Sequence, residues 1–143
     1  MFVSSVSAVQ GKGSVPQAIP EDVNLKEMSG KFLFGYGQSK NVAEVLCARA
    51  LARGIPTVSV RAGFVGGSTT TNVTNYDMMW DFIKTMKVRQ VSLESDDHIQ
   101  ITPVDYLAEC VTKLVFSERF WTRSAVHLSP PLEKCITGEK HHH

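Results

Sequence analysis

The sequence predicts an α/β fold, part of a doubly wound parallel sheet, on three observations. A helical pattern from about Tyr36 to Arg53 is followed, across the short turn Gly54-Ile55-Pro56, by the β-branched run Thr57-Val58-Ser59-Val60. Helix, short turn and strand make one crossover step of a parallel sheet. A second step runs from the alternating piece His98-Ile99-Gln100-Ile101 into an amphipathic helix beginning near Val104. Ahead of both, Met1-Phe2-Val3-Ser4-Ser5-Val6 reads as the end of a buried strand that stops in small hydroxyl residues.

Each element has a local cause. From Ala8 to Gly30 the chain is irregular and holds Gly11, Gly13, Pro16 and Pro20, the composition of a functional loop. Within the first helix Val42, Ala43, Leu46, Ala50 and Leu51 recur at steps of three and four, which predicts that they form its buried face, and Gly54 is placed to stop it. Arg61 to Asn75 reads as a loop holding Gly63, Gly66 and Gly67. Tyr76 to Lys87 reads as a helix with Met79, Phe82, Ile83 and Met86 on one face, for packing or as the wall of an acyl channel. Thr102-Pro103-Val104-Asp105 carries a Thr cap, a proline at the first helical position and an acid in the first turn. Val104, Leu107, Ala108, Val111, Leu114 and Val115 form the apolar face of that helix. Ser124 to Ser129 reads as a last strand, ended by Pro130-Pro131.

Composition narrows the function. The chain has 143 residues, one domain's length. His141, His142 and His143 read as a tag remnant, leaving residues 1–140 as the folded portion. Only His98 and His127 then remain, so no multi-histidine metal site is expected. Fifteen Lys and Arg against fourteen Asp and Glu make a formal charge of +1, which provides no electrostatic attraction for nucleic acid or an anionic membrane. No apolar run approaches the roughly 20 residues of a membrane span. Cys47, Cys110 and Cys135 are odd in number and widely spaced, without a CxxC pair, which predicts free thiols in a reducing, cytoplasmic setting.

The chemistry concentrates in Gly35-Tyr36-Gly37-Gln38-Ser39-Lys40. Tyr36 and Lys40 are four apart at a helix start, so their side chains share one face. An ammonium beside a phenol favours the phenolate, which suits proton exchange near neutral pH. In isolation the pair also reads as a surface tyrosine and a solvated lysine. The surroundings add weight: one strand ends upstream at Ser4-Ser5, and another ends downstream in Val60-Arg61-Ala62-Gly63-Phe64-Val65-Gly66-Gly67. Ligands of open α/β sheets sit beyond the carboxyl ends of the strands.

These segments, with Val42-Ala43-Glu44, Asn75-Tyr76-Asp77 and Ile101-Thr102-Pro103-Val104-Asp105-Tyr106-Leu107-Ala108, resemble the extended short-chain dehydrogenase/reductases. Within that family the sequence is most similar to the thioester reductase domains of nonribosomal peptide synthetases, aminoadipate reductases and carboxylic acid reductases. The resemblance covers nearly the whole chain and implies a Rossmann-like fold. It also implies a catalytic set of Ser5, Tyr36 and Lys40, with Ser4 and Ser7 as register alternatives to Ser5. Tyr36 would give a proton to the carbonyl oxygen and Ser5 would orient that carbonyl. Lys40 would bind the nicotinamide ribose and favour ionisation of Tyr36, and Arg61, Ala62, Gly63 and Phe64 would pass along the nicotinamide. NADPH is the implied donor, NADH the alternative. The implied substrate is an acyl group thioesterified to a phosphopantetheinyl carrier protein, reduced to an aldehyde or an alcohol.

The sequence departs from the family pattern in two ways. Ala62 stands where the family has proline, which loosens the loop without removing a reacting group. The glycine-rich phosphate loop is also absent: Gly63-Phe64-Val65-Gly66-Gly67 lacks the G-x-G-x-x-G spacing, and Gly11-Lys12-Gly13-Ser14 lacks the earlier glycine of a P-loop. The expectation is therefore a carboxyl-terminal portion without the amino-terminal glycine-rich half. Missing neighbours would leave sheet edges open, which predicts self-association. Rival readings are a nucleotide-sugar epimerase or dehydratase, a relative that cyclises its thioester without redox chemistry, half of a split reductase, and a non-catalytic interaction fragment.

Overall fold

A computed structural model describes residues 1–11, 19–28, 32, 34–71, 73–74, 77–91, 98–99, 101–129 and 136–137. Expectations for Asn75-Tyr76, Gln100, Pro130-Pro131, Cys135, His141 to His143 and part of the segment from Ala8 to Gly30 lie outside these residues. The elements in order are β1 (Phe2–Ser5), α1 (Gly35–Ala52), β2 (Ser59–Ala62), β3 (Phe64–Gly66), α2 (Met78–Arg89), β4 (His98–Ile99), β5 (Ile101–Pro103), α3 (Val104–Val115), β6 (Ala125–Leu128) and β7 (Ile136–Thr137). Short 3₁₀ turns occupy Val6–Ala8, Leu25–Met28 and Glu118–Thr122.

β1, β2 and β6 form one parallel sheet in that spatial order. Val3 pairs with Val60 and Val60 with Val126; one step on, Ser4 pairs with Arg61 and Arg61 with His127. Side chains alternate across a strand, so this register gives the sheet two unlike faces. One carries Val60 and Val126, which join Val58 and Phe120 in the hydrophobic core. Val111, Leu114 and Val115 of α3 cover it with Trp121, whose ring meets Phe120 edge-on at 5.1 Å. Each such buried side chain stabilises by about 1.5–3 kcal/mol. The other face carries Ser4, Ser59, Arg61 and His127 and is covered by α1.

That second face overturns the expected burial of α1. Its buried residues are Gly37, Asn41 and Glu44, while Val42 and Leu46 are 54% and 57% exposed. The physical reason is Arg61: a guanidinium buried on the sheet needs a carboxylate opposite, and Glu44 supplies it. Glu44 therefore faces the sheet, and Val42 and Leu46 face outward while Ala43, Ala50 and Leu51 stay half-buried.

Four further expectations need correction. The segment from Arg61 to Asn75 is not one loop, because β2 runs on through Ala62 and β3 pairs in parallel with β5. The expected strand His98 to Ile101 divides, its first residues pairing antiparallel with β7 and Ile101 belonging to β5. Thr102 does not cap α3: it lies within β5, fully buried, and its hydroxyl has no partner among the described residues. Pro103 is the N-cap instead, and Asp105 reaches back across to accept from the Thr69 amide at 2.8 Å and the Thr69 hydroxyl at 2.6 Å. α2 begins two residues later than expected, where Asp77 caps it by accepting from the Met79 and Trp80 amides. No helix among the described residues is long and apolar enough to cross a membrane.

Candidate active site

The site forms where β1 ends and α1 begins. Ser5 closes β1, and its hydroxyl accepts from the Ser7 amide at 3.2 Å, turning the chain into the first 3₁₀ turn. Gly37 explains how the helix comes so close. A Cβ there would stand 2.7 Å from the Ser7 carbonyl oxygen, so only glycine allows the first turn of α1 to rest on the turn after β1. Asn41 then ties the helix down, its amide donating to the Ala8 and Leu25 carbonyls at 3.0 and 3.2 Å.

Tyr36 projects from this anchored first turn and is 58% exposed. Lys40 lies beside it, its ammonium 5.8 Å from the Tyr36 ring centre and 5.1 Å from that of Phe2. The ammonium also donates to the Val3 carbonyl at 3.0 Å. An ammonium has three donors, so two remain for another partner.

The serines separate. The Ser4 hydroxyl donates to Glu44 and faces the interior under α1. Ser5 uses its oxygen as an acceptor and keeps its proton for donation.

The structure does not bring the Arg61 side chain to the site. It is 1% exposed, and its guanidinium donates to Glu44 through Nε at 3.0 and 3.1 Å and through Nη2 at 2.8 Å. Nη1 donates to the Glu21 carbonyl at 3.0 Å and faces His127 Nε2 at 2.9 Å. Burial, then the Arg61 charge, hold the His127 imidazole below its ordinary pKa, so it serves as a neutral acceptor. Of the segment from Arg61 to Phe64 that leaves Ala62, buried at the end of β2, the half-buried Gly63 and the exposed Phe64.

Sequence reasoning passed over Glu44, Asn41 and Glu21. The spacing of Gly37, Asn41 and Glu44, four then three residues, is itself a helical stripe and was the available signal for the first two. Glu21 had none, since it lies in irregular chain. Its carboxylate accepts from the His127 amide at 2.9 Å and from Arg123 at 2.6 Å. A groove of 340 Å³ lined by Val23, Leu25, Val45, Ala48, Ser59 and Ser124 lies towards the opposite, amino-terminal ends of β2 and β6, and Ser5, Tyr36 and Lys40 do not line it. Among the described residues no cluster of His, Cys, Asp or Glu could hold a metal ion.

An exposed phenol at the start of α1 and, beside it, an ammonium with spare donors along β1 could hold the nicotinamide-ribose end of a dinucleotide. The pyrophosphate end has no matching residues, because the sequence contains no G-x-G-x-x-G unit.

The chain is similar to known proteins in sequence and in fold. Residues 1–111 match the NAD-binding family model described as male sterility protein. The chain is 35% identical over 130 residues to the L-2-aminoadipate reductase large subunit of Eremothecium gossypii, covering 81% of this chain and 9% of that protein. The terminal R domain from the myxalamid PKS-NRPS biosynthetic pathway superposes with a TM-score of 0.83 at 30% identity, covering 96% of this chain and 34% of that one. A UDP-galactose 4-epimerase superposes with a TM-score of 0.53 at 25% identity, covering 90% and 40%. The chain thus spans about a tenth of the length of that reductase subunit and about a third of the R domain. The fold is Rossmann-like.

Proposed function

We propose, for a chain that belongs to the NAD-binding male sterility protein family, that it carries the catalytic pair and the nicotinamide-ribose side of a reductase acting on acyl thioesters. The substrate is an acyl group borne on a phosphopantetheinyl carrier protein, and the product an aldehyde or an alcohol. The observation that carries this reading is the placement of Tyr36 and Lys40 one turn apart on the same face at the start of α1, with the Lys40 ammonium beside the Tyr36 ring and on the Val3 carbonyl of β1.

NADPH, when bound, would supply the hydride to the thioester carbonyl carbon, and loss of the pantetheine thiol from the resulting hemithioacetal would leave the aldehyde. Tyr36 gives its hydroxyl proton to the carbonyl oxygen as negative charge develops there. Ser5 donates to the same oxygen with the proton its own hydrogen bond leaves free. Lys40 would hold the ribose hydroxyls through its two spare donors, with its ammonium beside the Tyr36 ring. The backbone of Gly63 and the Phe64 side chain would flank the nicotinamide, while Arg61 acts from the interior by holding β2 to α1 through Glu44. Free Cys47 and Cys110 suit a reducing, cytoplasmic setting.

The test is NADPH consumption with an acyl-pantetheine thioester, preceded by calorimetric titration of NADPH into the chain. Tyr36→Phe is expected to lower turnover by about 10²- to 10⁴-fold while retaining cofactor affinity. Unchanged turnover in that variant overturns the assignment. A nucleotide-sugar epimerase is the second reading, prompted by the superposition on UDP-galactose 4-epimerase. Turnover of a UDP-sugar in place of the thioester would establish it.

A further inference from the structure

Ser4 and Arg61 stand side by side on adjacent strands, paired in the parallel register of β1 and β2. Both reach the same buried carboxylate. The Ser4 hydroxyl donates to Glu44 Oε1, and the Arg61 guanidinium donates to both Glu44 oxygens. Glu44 is therefore held from two strands at once.

Glu44 continues the helix face that carries Tyr36 and Lys40. The three residues follow at four-residue steps, so they lie along one side of α1. β1 meets that side at consecutive residues. The Val3 carbonyl accepts from Lys40 at 3.0 Å, and Ser4, the next residue, donates to Glu44 one helical turn further on. Ser5 follows directly at the end of the strand, its own hydroxyl held by the Ser7 amide.

Hydrogen bonds set the spacing here because apolar packing does not. The buried residues of α1 are Gly37, Asn41 and Glu44, none with a large apolar side chain. Of the two donors to Glu44, Arg61 is long and can follow the carboxylate if the helix slides or turns. Ser4 has a single side-chain torsion with three staggered settings, so its bond holds only while helix and strand keep one spacing.

We propose that Ser4 is a positioning residue: its bond to Glu44 sets β1, and with it Ser5, against the helix that presents Tyr36 and Lys40. Ser4 acts through Glu44 and leaves the substrate carbonyl to Ser5. The role rests on the reading of Ser5, Tyr36 and Lys40 as the reacting set. Ser4→Ala removes the bond without uncovering a charge, because Arg61 and Glu44 keep each other.

The experiment compares Ser4→Ala, Ser4→Thr and Val126→Ala in the full chain by two readouts. The first needs no substrate: the NMR signals of the Tyr36 ring and the Lys40 side chain. Both are expected to shift in Ser4→Ala and to stay in place in Val126→Ala, which loosens only the apolar face. The second is NADPH-dependent turnover of an acyl-pantetheine thioester. Ser4→Ala is expected to lower kcat by about 10- to 100-fold with the KM for NADPH unchanged, the effect of a small misplacement of reacting groups. Ser4→Thr keeps the hydroxyl and is expected to retain the parent rate. Tyr36 and Lys40 signals that do not move in Ser4→Ala overturn the proposal, whether or not the chain reduces the thioester. A kcat lost to the same degree in Val126→Ala also overturns it, because general loosening would then account for the loss. Turnover lost with both signals in place would make Ser4 itself the hydroxyl on the carbonyl. Shifted signals with no turnover in the parent chain bear out the Ser4 link and overturn only the thioester reading.

Discussion

The two faces of the β1-β2-β6 sheet are built from alternate residues of the same strands and are stabilised by opposite means. Under α3 lie Val58, Val60, Val126 and Phe120, a core without a polar group to satisfy. Under α1 lie Ser4, Arg61 and His127, joined through Glu44 and Glu21 into one network of hydrogen bonds. The apolar face gains from each contact separately, so its stability is graded and tolerant of shape. The polar face is close to all-or-none, because each buried charge depends on its partner. The difference has a use. The ion pair locks α1 to β2 through Glu44, and Asn41 and Gly37 lock the same helix to the chain after β1. The helix that carries Tyr36 and Lys40 is thereby held in a directional geometry that hydrophobic packing alone would not impose.

The largest effect expected from this contrast is at the ion pair. Glu44→Ala leaves Arg61 buried and uncompensated, and should cost about 3–5 kcal/mol of unfolding free energy in a urea titration. Val126→Ala on the other face should cost about 1.5–3 kcal/mol. Replacing both partners, Glu44→Leu with Arg61→Met, should cost less than Glu44→Ala alone; a double variant less stable than that single one would mean the network is more than a paired charge.

A smaller effect is a pH dependence on the polar face only. His127 is held below its ordinary pKa of 6.5, so the unfolded chain binds its proton more readily than the folded one. Its contribution to stability is complete above 6.5 and is lost as pH falls below that value towards the folded pKa. In His127→Gln the slope of stability with pH below 6.5 should flatten, whereas Val126→Ala should leave it unchanged. Equal slopes in His127→Gln and the parent chain would exclude the imidazole as the source.

The smallest effect lies outside both faces. The Thr69 hydroxyl, then the Thr69 and Tyr106 amides, lower Asp105 from 3.8 to about 2. The clasp it makes across the start of α3 is complete above about 4 and is lost as pH falls towards about 2. Thr69→Val should raise the Asp105 pKa in an NMR titration; an unmoved value would assign the lowering to backbone amides alone.

Much of this was legible in the sequence because it is local. The crossover from α1 to β2, the strand at Ala125 and the four-residue spacing of Tyr36 and Lys40 follow from helical period, β-branching and turn residues. Elements that depend on a distant partner were not. β3 is three residues long and exists because β5 pairs with it. Thr102 has every local feature of a cap, yet the same pairing draws it into a strand. The outward turn of Val42 and Leu46 was signalled within α1 only by the stripe of Gly37, Asn41 and Glu44, and its cause is Arg61 on another element.

By itself, then, the amino-acid sequence determined which segments form helix or strand and that a phenol and an ammonium share one helical face. Tertiary structure decided which way that helix faces, that Arg61 serves the interior, and that Lys40 meets the Val3 carbonyl of β1. The division has a physical reason. Periodicity and propensity act over a few residues of chain, whereas a buried charge is resolved only by groups that folding brings from elsewhere.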